Sequence, residues 1–150
     1  MKTSDRRLLR ELQNDSQISN QTLADRAGLS PSACWRRVKA LEEAGVIDRH
    51  VVILNAGKAG LNFSAIVHVT LTRHDVSHVE HFISRVVERD EVLECLSTTG
   101  ESDYHLRVVC QDKDAYNRFL DGFLFQLPGV AQIRTNLVLK EIKLKTALPL

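Results

Sequence analysis

The sequence predicts an α+β chain of two modules, a three-helix helix-turn-helix head followed by a ferredoxin-like βαββαβ body. Three observations carry this. Up to Gly45 the apolar residues recur at helical spacing, punctuated by glycines. From Asn62 onward two-residue alternation and helical spacing interchange in the order βαββαβ. Charge divides at the same place: up to Leu61 there are 10 Lys/Arg against 7 Asp/Glu, a net +3, and from Asn62 the counts are 10 and 12, a net −2. The division reads as residues 1–50 for the head, 51–61 for a strand and linker, and 62–150 for the body.

At 150 residues, with 43% hydrophobic and 26% charged side chains, the chain suits one mid-sized domain or two small ones. The balance excludes a disordered acidic tail, a collagenous chain and a polybasic coat. Apolar runs fall far short of the ~20 residues of a membrane helix, so no membrane partner is expected. The opening MKTSDRRLLREL is charged where an apolar targeting segment would lie, and a cytoplasmic location is the expectation. Three cysteines (Cys34, Cys95 and Cys110) without a CxxC pair argue against a disulfide framework or zinc cage.

In the head, Leu8, Leu9 and Leu12 form the buried stripe of a helix from Asp5 to Asn14, with Thr3, Ser4 or Asp5 as N-cap. Ser19 caps a second helix carrying Leu23, Ala24 and Ala27, and Gly28 supplies the left-handed residue that ends it. Ser30 and Pro31 open a third, serine capping free N–H groups and proline fitting the first helical position. This helix runs to about Ala44 and Gly45 stops it. On its wheel Cys34, Val38 and Leu41 face inward, while Ser32, Trp35, Arg36 and Lys39 gather on the other side. Hydroxyl and guanidinium groups so placed suit base edges and phosphates in a major groove. They equally suit a solvated helix face, with Trp35 covering the edge of the core. Beyond it, His50 to Leu54 alternates as a strand, and Asn55 to Gly60 is the most turn-rich segment.

In the body, Phe63 to Leu71 alternates as a strand. Val79, Phe82, Ile83, Val86 and Val87 mark an amphipathic helix. Val92 to Thr98 and Tyr104 to Cys110 are strands about a turn at Gly100–Asp103. Tyr116, Phe119, Leu120, Phe123, Leu124 and Leu127 mark a second helix closed by Pro128-Gly129, and Val130 to Ile142 is the last strand. Ile66 beside Val67, and Val138 and Ile142 beside Leu137 and Leu139, put apolar residues on both strand faces. The helices can cover only one, so the other is expected to bury against a second subunit.

A head with LSPSACWRRVKALEEAGVI, a glycine-containing linker, and a body with TTGESDYHLRVV and LPGV resembles the Lrp/AsnC family, the leucine-responsive or feast/famine transcriptional regulators of bacteria and archaea. The likeness spans essentially the whole chain. It implies a winged type of helix-turn-helix that binds double-stranded DNA, with Ser30, Ser32, Trp35, Arg36, Arg37 and Lys39 as contacts. It further implies control of amino-acid metabolism, homodimers that assemble further, commonly to octamers, and an amino acid or related small molecule bound between dimers. No cofactor and no enzymatic activity are implied. Gly100, Asp103 and Tyr104 match the family's Gly-x-x-Asp-Tyr effector loop, with Thr98, Thr99 and Glu101 beside them. Glycine permits close approach, free N–H groups hold a carboxylate, and Asp103 would pair with an α-ammonium group. The residue types alone also fit a plain hairpin turn.

His74, His78 and His81 have helical spacing, but a metal site needs convergent ligands and a second shell that nothing else supplies. Cys34 adjoins the DNA-reading face of the third helix, where a redox sensor is one reading, but without a nearby cysteine partner a local disulfide switch is not expected. No nucleophile sits in a recognisable elbow. The competing reading is a small-molecule-binding or enzymatic ferredoxin-like domain whose head serves assembly. The surface of Ser32, Trp35, Arg36 and Lys39 discriminates between the two.

Overall fold

The structure is a computed structural model and describes residues 2–72 and 76–150. It forms two compact units, one of residues up to Ile53 together with Ile142–Leu150, the other Leu54–Glu141.

The first unit holds α1 (Thr3–Asn14), α2 (Asn20–Ala27) and α3 (Pro31–Glu43). Leu8, Leu23, Ala24, Ala27 and Cys34 form its core, with Val38 packed against it. Local rules set the ends. Ser19 accepts from the Thr22 N–H at 3.1 Å, Gly28 ends α2 at φ 69°, and Ser30 accepts from the Ala33 N–H at 3.3 Å. The cap of α1 differs from the expected Thr3, Ser4 or Asp5. Lys2 takes that position and Asp5, three residues on, accepts from its N–H at 3.3 Å. Ser4 and Asp5 are instead turned to Arg37 of α3.

The strand expected at His50–Leu54 is absent. Alternating apolar residues favour extended chain, but a strand needs a ladder partner, and none pairs here among the described residues. Val52 and Leu54 are 77% and 73% exposed. The following segment is ordered by its own turn: Asn55 accepts from the Lys58 N–H at 2.9 Å through its side chain, and Leu61 N–H donates to the Ala56 carbonyl at 2.8 Å. Residues 142–150, which the sequence division placed with the body, group with the helices. The Gln13 amide clamps the Leu148 backbone, accepting its N–H at 2.6 Å and donating to its carbonyl at 3.3 Å, and Arg10 Nε donates to the Leu150 carbonyl.

The second unit runs β1 (Phe63–Leu71), α4 (Val76–Val87), β2 (Val92–Ser97), β3 (Tyr104–Cys110), α5 (Lys113–Gly122), a short 3-10 turn (Leu124–Gln126) and β4 (Val130–Leu137). The sheet order is β2-β3-β1-β4 with every pairing antiparallel, the expected ferredoxin-like topology. Ala65, Val67, Val69, Leu106 and Val108 meet Phe82, Val86, Phe119 and Leu124 in one core. Two expectations change. The second helix stops at Gly122, and Leu124 and Leu127 reach the core from the 3-10 turn and the residue after it. The helix-free sheet face, expected to be apolar, is mixed: Ile66, Leu96 and Val109 share it with His68, His105, Arg107 and Arg134. His68 pairs in register with His105 and Arg134, and Ile66 with Arg107 and Asn136. Leu139 and Ile142 lie beyond the end of β4, 90% and 82% exposed.

Candidate functional site

On α3, Ser32, Trp35, Arg36 and Lys39 are all exposed and share one face, and Trp35 is 56% exposed rather than sealing the core. The angle of α3 to its neighbours is fixed by side chains that sequence periodicity does not reveal. Asn20 donates to the Pro31 carbonyl at 2.9 Å, tying the start of α2 to the start of α3. Arg26 pairs with Glu11 at 2.7 Å, tying α2 to α1.

The six proposed DNA contacts do not form one set. Arg37 lies inward, its Nε 3.0 Å from Asp5 Oδ1 and its Nη2 donating to Ser4 Oγ at 3.2 Å, so it braces α3 against α1. Ser30 is spent as the cap of α3, although it remains exposed. Arg36 has no protein partner among the described residues. Lys39 Nζ sits 2.7 Å from Glu42 Oε2, and Glu42 Oε1 faces His50 Nε2 at 3.4 Å. Those hydrogen bonds hold the Glu42 carboxyl below its usual range, and Glu42 raises the Lys39 ammonium. Glu42 was readable as a charge one turn from Lys39. His50 was not, because its contact crosses the Gly45 turn.

The β2–β3 loop is closed by its own polar groups. Thr98 donates its N–H to the Asp103 carbonyl at 3.0 Å and its hydroxyl to the Ser102 carbonyl at 3.2 Å. Asp103 binds the end of β1 twice, donating its N–H to the Val69 carbonyl at 3.0 Å and accepting the Leu71 N–H at 2.8 Å through Oδ2. Gly100 takes φ 124°, a conformation open to glycine. Glu101 faces Arg134 of β4 at 3.2 Å.

Beside this loop lies a cavity of about 370 Å³ lined by Leu71, Thr72, Val79, Ser97, Thr98, Asp103 and Tyr104. Of the six residues the sequence singled out, Thr98, Asp103 and Tyr104 line it, while Thr99, Gly100 and Glu101 do not. Leu71, Thr72, Val79 and Ser97 were missed, since each reads as an ordinary strand or helix position until β1 and α4 converge. The lining is part polar and part apolar, which suits a small zwitterion with a hydrophobic side chain. Asp103 has one oxygen committed to the backbone, so its first role is to shape the cavity.

His78 is half-buried against Gly129, His81 is exposed and His74 lies outside the described residues. No group of three metal-ligating side chains occurs among the described residues. Cys34 and Cys110 are buried, and burial pushes their thiols up, as it does that of Cys95. No described helix is long and apolar enough to cross a membrane.

Residues 1–48 match a winged helix-turn-helix DNA-binding family, and residues 64–148 match the Lrp/AsnC ligand binding domain. The chain is 33% identical to the transcriptional regulator AzlB of Bacillus subtilis, covering 98% of this chain and 94% of that protein. It is 38% identical to the leucine-responsive regulatory protein of Escherichia coli, covering 93% and 85%. The crystal structure of the Neisseria meningitidis regulator NMB0573 in complex with L-Met superposes with a TM-score of 0.95 at 34% identity, over 99% of this chain and 96% of that one. The head, the body and their order thus agree with the sequence resemblance, and the chain belongs to the Lrp/AsnC family of DNA-binding transcriptional regulators with an effector-binding C-terminal domain.

Proposed function

We propose that the chain reads operator DNA through Ser32, Trp35, Arg36 and Lys39 of α3 and is switched by a free amino acid held in the cavity beside Asp103. The observation that carries the first half is the division of labour between adjacent arginines: Arg37 is spent inside the head, while Arg36 is exposed and unpartnered. The cavity supports the second half. Thr72, Ser97, Thr98 and Asp103 supply polar groups for an amino acid's charged end, and Leu71, Val79 and Tyr104 supply apolar surface for its side chain. Aliphatic and thioether amino acids fit that surface, in keeping with a leucine-responsive relative and one bound to L-Met.

The acting species is a homodimer that assembles further, to an octamer, in the cytoplasm, and it controls genes of amino-acid metabolism. A two-fold axis would set two copies of α3 one turn of DNA, about 34 Å, or a multiple of it apart, the geometry of a palindromic operator. The test pairs two variants at fixed salt. Arg36→Ala with Lys39→Ala abolishes operator binding and leaves the thermal shift given by L-methionine or L-leucine intact. Asp103→Ala abolishes that shift and leaves dimer binding to DNA intact. If both variants keep both properties, this reading is wrong.

A further inference from the structure

Arg36 and Lys39 stand one turn apart on the same face of α3, yet only Arg36 is free. We propose that Glu42 is a positioning residue that holds Lys39 in reserve, so that each engagement of Lys39 with a DNA phosphate must first break an ion pair within the protein. This rests on the reading that α3 is the DNA-contacting helix.

Three features converge on it. Trp35, Lys39 and Glu42 follow spacings of four and three, so the carboxylate lies at the C-terminal end of the stripe that meets DNA. Both oxygens of Glu42 are engaged, Oε2 by Lys39 at 2.7 Å and Oε1 by His50 at 3.4 Å. His50 thereby fixes the carboxylate with one oxygen turned to the ammonium. Glu43 adds a further negative charge within reach of Lys39, at the end of a helix whose last carbonyls are themselves partially negative. A phosphate and this carboxylate compete for one ammonium.

Lys39 and Glu42 are solvated, and exposed pairs of this kind are weak and exchange readily. The pair is therefore a brake and not a lock. A lysine already neutralised attracts the DNA polyanion less, and once Lys39 leaves, Glu42 stands beside the phosphate backbone and repels it. Affinity for DNA of any sequence is lowered. Arg36, with no carboxylate beside it, contributes its full charge.

A double-mutant cycle tests this on the full-length chain, using fluorescence anisotropy with a labelled duplex of mixed sequence at low salt. Glu42→Gln keeps the size of the side chain and an oxygen for His50 while removing the charge. It is expected to tighten binding about threefold to tenfold, and the advantage should shrink by about threefold between ~50 and ~200 mM salt, the dependence of one additional phosphate contact. In the Lys39→Ala background the same substitution should give a clearly smaller gain, only the relief of Glu42's own repulsion of the backbone. A gain of equal size in that background overturns the proposal, because Glu42 would then act as a through-space charge without Lys39. No gain from Glu42→Gln, with Arg36→Ala still weakening binding, overturns the reserve alone. If Arg36→Ala and Lys39→Ala both bind as tightly as wild type, α3 is not the DNA-contacting helix and both readings fall.

Discussion

The exposed face of α3 and the β2–β3 loop both collect polar side chains and use them in opposite ways. On α3 the charges are left free or loosely held: Arg36 is unpartnered and Lys39 sits in a solvated pair. In the loop most polar groups are already bound within the protein, and one Asp103 oxygen is left over. Asp103 secures the end of β1, Thr98 secures Ser102 and Asp103, and Glu101 faces Arg134. On the proposed function, the contrast follows the size of the ligand. DNA approaches from outside and supplies its own partners, so the protein need only present charge on a rigid helix. A small molecule needs a concavity that exists beforehand, and its walls must be braced.

The severest way to break this comparison is to remove the bracing beneath the cavity. Gly129 has φ +82°, and a Cβ there would lie 2.6 Å from the Cβ of His78 on α4. Its carbonyl accepts the N–H of Thr72, a residue of the cavity wall, at 2.8 Å. Gly129→Val must push α4 away from the start of β4, at a cost of about 3 kcal/mol or more. Calorimetry should show a large fall in Tm together with loss of any stabilisation by L-methionine. An unchanged Tm would mean that the close approach of α4 carries no weight.

A gentler break acts on Asp103 itself. Asp103→Ala leaves the Leu71 N–H without its acceptor, which costs about 1–3 kcal/mol for a group out of water. Asp103→Asn keeps an acceptor oxygen and should retain most of the stability. Urea denaturation separates them. Equal stability of the alanine variant and wild type would return the segment to the status of an ordinary hairpin turn.

Adjacent arginines sharpen the same contrast inside the head. Arg37→Ala removes the brace to Asp5 and Ser4 and should lower stability by about 1 kcal/mol. Arg36→Ala should leave stability unchanged and weaken operator DNA about tenfold, the loss of one good charged contact. The reverse pattern would exchange their roles.

Features set by neighbouring residues were readable in the sequence, and features set by distant ones were not. The caps at Ser19 and Ser30, the left-handed Gly28, and the bounds of β1 and β3 all follow from spacing within a few residues. The His50–Leu54 strand failed because alternation reports a preference for extended chain and says nothing of a ladder partner. The charged share of the helix-free sheet face was not legible, because adjacent residues such as Ile66 and Val67 do not reveal cross-strand neighbours, which for Ile66 are Arg107 and Asn136. Arg37 shared a charge with Arg36 and differed only in facing α1. In the cavity, Asp103 and Tyr104 stand in a recognisable loop, whereas Leu71 and Val79 join it only when a strand end and a helix converge.

The smallest expected effect lies on that mixed sheet face, at His68. It stands between His105 on β3 and Arg134 on β4, with the Asn136 amide 3.1 Å from Nε2. Burial first, and then the positive neighbours His105 and Arg134, hold its pKa below the usual histidine value. The unfolded chain therefore binds a proton at His68 more readily than the folded one between that depressed pKa and about 6.5. The contribution to stability is complete above the ordinary histidine range and is lost as pH falls through the folded value. Thermal melts from neutral to mildly acid pH should show a declining Tm for wild type and a shallower decline for His68→Gln, whose amide keeps a partner for Asn136. Parallel profiles would assign the acid sensitivity to other groups. They would also show that solvent screens the charges around His68 on this face, unlike the braced loop at the edge of the same sheet.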